Sequence, residues 1–145
     1  MRFWDSSALL PLVFEEPTRI EMLDLLDQDD RMVLWWGTSV ECHSALNRRF
    51  REGHLPIDEL QIARDSLRMI LQAAEEVQPT ETLRILAHRL VGVYPIRAAD
   101  ALQLAASLVW SENQPSGREL VCLDQRLRQV GQQEGFTMLP ATTGR

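Results

Sequence analysis

Four carboxylates stand in surroundings that make them candidates for chemistry: Asp5, Glu41, Asp100 and Asp124. They come from four separate stretches. Asp5 follows the apolar pair Phe3-Trp4, and Asp124 follows Leu120-Val121-Cys122-Leu123. Glu41 closes Thr38-Ser39-Val40-Glu41, just after Gly37. Asp100 sits within Arg97-Ala98-Ala99-Asp100-Ala101-Leu102-Gln103-Leu104-Ala105-Ala106. Each acid also has a plain structural explanation. Thr38 to Glu41 fits a capping box, Asp5 and Asp124 fit helix caps, and Asp100 suits a helix dipole. Taken together the balance shifts, because an acid set so closely among Ala and Leu is poorly explained by solvation.

Carboxylates that converge cannot all ionise without compensation, since like charges raise one another's pKa. A divalent cation is the usual compensation. An all-carboxylate site with water suits Mg²⁺ or Mn²⁺ rather than zinc, because hard ions prefer oxygen. One such ion polarises a phosphoryl oxygen and acidifies a water. Two, about 3.5–4 Å apart, hold both the attacking and the leaving oxygen of a phosphodiester. The chemistry suggested is metal-assisted phosphodiester hydrolysis with one or two ions.

The elements that would have to position these acids follow from punctuation and periodicity. Strands are expected at 2–4, 32–36, 119–123 and 136–139. Helices are expected at 6–16, 18–29, 38–51, from Pro56 to about Val77, at 81–91, 97–110 and 125–134, the last closed by Gly135. Strands alternate with helices and no hairpin signal joins two strands. That pattern predicts an α/β fold: a central parallel sheet of four or five strands with helices on both faces. In such a sheet functional groups gather at the carboxyl ends of the strands. Asp5 and Asp124 end strands; Glu41 and Asp100 lie in first turns of helices.

Composition narrows the field further. The 145 residues fit one domain, expected at 1–140, with a flexible tail at 141–145. All 15 basic residues are Arg, against 21 acids, for a net charge of −6. Without Lys there is no P-loop lysine and no Schiff base, and a receiver-type phospho-acceptor domain is disfavoured. Cys42 and Cys122, with His43, His54 and His88, make no zinc spacing. No apolar run reaches the roughly 18 residues of a membrane span. The opening Met1-Arg2-Phe3-Trp4-Asp5 does not read as a signal peptide, so a cytoplasmic location is expected.

Several stretches together resemble a known family. Phe3-Trp4-Asp5-Ser6-Ser7-Ala8-Leu9, then Ser39-Val40-Glu41 with Ala45-Leu46, then Ala99-Asp100-Ala101-Leu102-Gln103-Leu104-Ala105, then Leu120-Val121-Cys122-Leu123-Asp124 leading to Glu134-Gly135-Phe136, resemble PIN-domain ribonucleases. Within these the chain is most similar to VapC-type toxins of toxin–antitoxin pairs, over residues 1 to about 140. The resemblance implies a PIN-like three-layer fold and Mg²⁺- or Mn²⁺-dependent endonucleolytic cleavage of RNA. It also implies inhibition by a cognate antitoxin, and homodimers. Its acids correspond to Asp5, Glu41, Asp100 and Asp124, which would bind the metal, and its hydroxyl to Ser7. One departure is Cys122, where the family often carries Thr or Ser two residues before the fourth acid.

Phosphate binding normally relies on basic residues, and two divalent ions would change −6 only to −2. The attraction has to be local. Arg48 and Arg49, seven and eight residues beyond Glu41, are expected roughly on its helix face and are candidate substrate contacts. They equally suit a helix C-terminus. Arg97, three residues before Asp100, is a third candidate, for phosphate or for one of the acids. Arg126 and Arg128 are expected on a solvated face, and Trp35 and Trp36 in the core. Met69-Ile70-Leu71 run consecutively, so at least one should be exposed and offer a partner surface, to a second copy or to an antitoxin helix. Two other functions remain open: a catalytically silent PIN-like module binding RNA or protein, its acids serving as caps, and a DNA nuclease.

Overall fold

Five short strands alternate with seven helices through residues 1–141, the part of the chain that the computed structural model describes. The strands are β1 (Arg2–Trp4), β2 (Met32–Trp35), β3 (Glu75–Val77), β4 (Glu119–Val121) and β5 (Thr137–Leu139). The helices are α1 (Ser6–Leu9), α2 (Arg19–Gln28), α3 (Thr38–Arg51), α4 (Ile57–Ala73), α5 (Glu81–Val93), α6 (Ala98–Trp110) and α7 (Gln125–Glu134). All strand pairings are parallel, in the order β3-β2-β1-β4-β5. The expected parallel sheet with helices on both faces is therefore present. Apart from Ala141, the tail expected at 141–145 lies outside the described residues.

The strands read as unbroken apolar runs because both sheet faces are covered. Successive side chains point to opposite faces. Trp4, Met32, Leu34 and Val121 enter one core, with Leu9, Met22, Leu46 and Leu67 from α1 to α4. Phe3, Val33, Trp35, Leu120 and Cys122 enter the other, with Leu90, Leu104 and Leu127 from α5 to α7. Helix α6 is buried along most of its length, and Ala101, Ala105 and Ala106 keep that surface small. No helix among the described residues is long and apolar enough to cross a membrane.

Three local expectations need correction. The helix foreseen from Pro56 to Val77 ends at Ala73, and Glu75–Val77 is an edge strand paired with β2. Gln72-Ala73-Ala74-Glu75-Glu76 is made of good helix formers, so pairing along β2 has overridden local propensity. The two glutamates suit an exposed edge, where charge discourages further pairing. The helix foreseen at 6–16 stops after Leu9 and tightens into a 3-10 turn at Leu10–Leu12, as Pro11, without an N–H, disfavours a regular α-helix. Trp35 is buried as expected, whereas Trp36 is 50% exposed.

The topology sets where a site can form. From β1 the sheet runs to β2 and β3 on one side and to β4 and β5 on the other. The chain reverses direction across the sheet between β1 and β4, and ligands bind outside the carboxyl ends of strands at such a switch point.

Candidate active site

The first and fourth acids stand at that switch point. Asp5 immediately follows β1, and its backbone N–H donates to the Val121 carbonyl of β4 at 2.9 Å. It is only 4% exposed. Its side chain is held from behind through one oxygen. Asp5 Oδ2 accepts from the Ser7 backbone N–H (3.1 Å) and from the Ser7 hydroxyl (2.5 Å). The Cys122 thiol lies 3.6 Å from the same oxygen. Ser7 Oγ in turn accepts from the Leu123 N–H at 3.0 Å, so the hydroxyl ties Asp5 to the end of β4. Cys122 thus takes up the place where a hydroxyl was expected and still reaches Asp5. Burial is the main influence on Asp5 and pushes its carboxyl above the ordinary range, and the charge of Asp124 adds to this.

Asp124 ends the β4 segment and caps α7, accepting from the Leu127 N–H at 2.9 Å. Both structural explanations offered by the sequence for Asp5 and Asp124 therefore hold: each caps the helix it precedes. A cap of this kind also fixes the direction of the carboxylate.

Glu41 behaves differently. The capping box is not formed, because its side chain turns across to α6. Gln103 Nε2 donates to Glu41 Oε1 at 2.5 Å and to Thr38 Oγ1 at 2.9 Å. The Ser6 side chain bonds Glu41 as well. Burial, then the charges of Asp5 and Asp100, push the Glu41 carboxyl up to about 7 despite these donors. Asp100, partly buried in the first turn of α6, accepts from the Arg97 backbone N–H. Burial, followed by the Asp124 charge, raises it, while Arg126 and Arg97 pull the other way.

Asp5, Ser7, Glu41, Asp100 and Asp124 line one open cleft of about 360 Å³, with Arg48 on its rim. All four acids and the hydroxyl picked out from the sequence are thus brought together. Among the described residues no three His, Cys, Asp or Glu side chains already surround one point. The donor set nonetheless fits a hard divalent ion. Mg²⁺ keeps several waters and takes only one or two carboxylates directly, and the four acids here crowd one another in pairs.

The arginines separate. Arg48 reaches the cleft, but Arg49 does not. At 3.6 residues per turn, Arg48 lies ~20° from the Glu41 direction and Arg49 ~80°. Arg49 instead pairs with Glu16, and its guanidinium lies 4.1 Å from the centre of the Phe14 ring. Arg49, expected beside Arg48 on the face of Glu41, is thus directed away from the acid cleft. Arg97 and Arg126 flank a second hollow of about 630 Å³ that shares Asp100 and Asp124 with the first. Arg128 is not on a solvated face: it donates to the Cys122 and Pro140 carbonyls at 2.8 and 2.6 Å and braces the ends of β4 and β5.

Gln103, Ser6 and Arg126 are the residues missed from sequence. Gln103 carried a signal, a lone amide among Leu102, Leu104 and Ala105 one turn beyond Asp100.

A parallel sheet covered on both faces, with acids gathered at its switch point, defines an acid-edged α/β protein. Its architecture is PIN-like and is shared with two solved structures. One is the crystal structure of VapBC2 from Rickettsia felis bound to a DNA fragment from their promoter. It has a TM-score of 0.63 at 12% identity, over 94% of this chain and 96% of that chain. The other is FitAcB from Neisseria gonorrhoeae, with a TM-score of 0.64 at 12% identity, over 91% and 94%. At this identity the likeness is one of fold. The sequence matches no family model and no curated protein.

Proposed function

We propose that the protein is a metal-dependent endoribonuclease acting as the toxin of a toxin–antitoxin pair. The observation that carries this reading is the meeting of Asp5, Glu41, Asp100 and Asp124, from four separate elements, in one cleft. The fold shared with chains of VapBC2 and FitAcB supports it. Asp5, Glu41, Asp100 and Asp124 would hold Mg²⁺ or Mn²⁺, as one ion or two. When bound, the ion neutralises charge at the phosphoryl oxygen and acidifies the attacking water. Ser7 keeps Asp5 oriented, and Gln103 does the same for Glu41. Arg48 and Arg97, both exposed at the edge of the acids, are placed to meet phosphates.

A cytoplasmic location, a cognate antitoxin and a homodimer complete the reading. Met69 on α4, and Ile85, Val91 and Val93 on α5, are exposed apolar side chains on opposite faces of the sheet, and the α5 group is suited to a second copy or an antitoxin segment. The silent binding module keeps one specific support, since Asp5 and Asp124 serve as caps. Single-stranded RNA and DNA of one sequence, incubated side by side in Mn²⁺, test the proposal. RNA should be cut internally and DNA left intact. Cutting of DNA would favour the DNA nuclease, and cutting of neither the silent module.

A further inference from the structure

Of the hollow between α6 and α7, the reading above uses only Arg97 and the two shared acids. It opens beside the acid cleft and shares Asp100 and Asp124 with it. Arg97 enters from the residue before α6, and Arg126 and Gln129 from α7. Both guanidinium groups are close enough to Asp100 to oppose the rise in its pKa. Yet neither forms an ion pair or hydrogen bond among the described residues. The ion pairs there involve Arg2, Arg19, Arg31, Arg49, Arg68, Arg84 and Arg89. In a chain of net charge −6, two exposed and unpaired guanidinium groups beside an acid cluster stand out against the trend. Arg48, also without such a partner, borders the cleft from α3.

We infer that the hollow edged by Arg97, Arg126 and Gln129 is a subsite for the backbone phosphates of a nucleic-acid strand, which crosses the acids between this flank and Arg48. The inference rests on the nuclease reading and extends it. Two guanidinium forks match phosphate oxygens, and the Gln129 amide adds a neutral donor. Among the described residues no aromatic ring lines the hollow, so they offer no ring on which a base could stack. Contacts made there fix the position of the strand without reading its sequence. The Asp100 and Asp124 charges on the shared wall keep the strand weakly held until they are neutralised.

Fluorescence anisotropy with two short single-stranded RNAs of unrelated sequence tests this, in EDTA so that nothing is cut. Affinity is followed as salt rises from roughly 50 to 200 mM, where each lost phosphate contact should lower the log–log slope by about 0.7. Arg126→Gln should lower it by that amount, and Arg97→Gln with Arg126→Gln by about twice as much, equally for both RNAs. Arg68→Gln, an exposed arginine on α4 paired with Asp65, should leave the slope unchanged. An unchanged slope in the double variant overturns the subsite. So does loss of binding to only one of the RNAs, or an acidic peptide bound through these arginines while RNA is ignored. Cleavage in Mn²⁺ separates the two claims. RNA held through the arginines but never cut supports the subsite and ends the nuclease reading. RNA cut by the double variant with unchanged KM ends the subsite alone.

Discussion

At the scale of the residue, the site is built by tying each acid through a group behind it. Asp5 is held through Oδ2 by Ser7 and Cys122, and Glu41 through Oε1 by Gln103. Gln103 is 2% exposed, and its own Oε1 is buried without a partner. That orphan oxygen costs stability, so the amide is explained by what its Nε2 holds. Gln103→Leu should therefore weaken Mn²⁺ binding by about 10–100-fold while leaving the melting temperature unchanged or raised. Calorimetric Mn²⁺ titration and thermal unfolding check the two halves, and a large loss of stability with unchanged Mn²⁺ affinity would contradict them. Asp5→Asn should raise the melting temperature, because burial penalises its charge, and abolish cleavage. The sequence displayed the acids openly, since each sits at a strand end or a helix start, whereas Ser7 was marked only by the family resemblance. Gln103 was hidden because its importance lies in reaching from α6 to α3, a contact that no local pattern encodes.

At the scale of the element, caps and site residues turn out to be the same residues. Asp124 accepts from the Leu127 N–H, and an asparagine can do likewise. Asp124→Ala should lose about 1 kcal/mol of stability, whereas Asp124→Asn should keep most of it. Both should lose cleavage, which separates the carboxylate's charge from its capping bond; denaturant unfolding beside an RNA assay decides. Activity retained in Asp124→Asn would reduce Asp124 to a cap. The strands β1, β2, β4 and β5 and most helices were legible, because apolar runs of strand length alternate with helical periodicity. Strand β3 was not, as Glu75 and Glu76 carry no strand signal and pair only because β2 offers an edge. Arg49 was misplaced for a geometric reason: one residue beyond Arg48 rotates the side chain away from the cleft and towards Glu16 and Phe14.

At the scale of the whole molecule, crowding of acids makes the free chain pay in stability for its site. The folded Glu41 carboxyl lies at about 7 against its ordinary 4.5, so the folded state holds this proton more tightly. The cost to folding is thus fully present above pH 7 and is relieved as pH falls towards 4.5. Asp5 and Asp100 are shifted in the same direction. Asp29 and Glu134, lowered by their partners, act only at more acid pH. In EDTA the melting temperature should rise from pH 8 to pH 5.5, with a shallower rise in Glu41→Gln. At pH 8, Mn²⁺ should raise the melting temperature of the native chain more than that of Asp100→Asn. A flat pH profile with no Mn²⁺ effect would mean that the acids do not sense one another.

The most direct test of the central claim is cleavage of total cellular RNA by the purified protein in Mg²⁺ or Mn²⁺, beside an EDTA control and Asp100→Asn. Discrete fragments that vanish in both controls are the predicted result. RNA left intact in both metals by folded protein free of any bound partner would contradict the account, leaving Asp5 and Asp124 as helix caps of a silent α/β module.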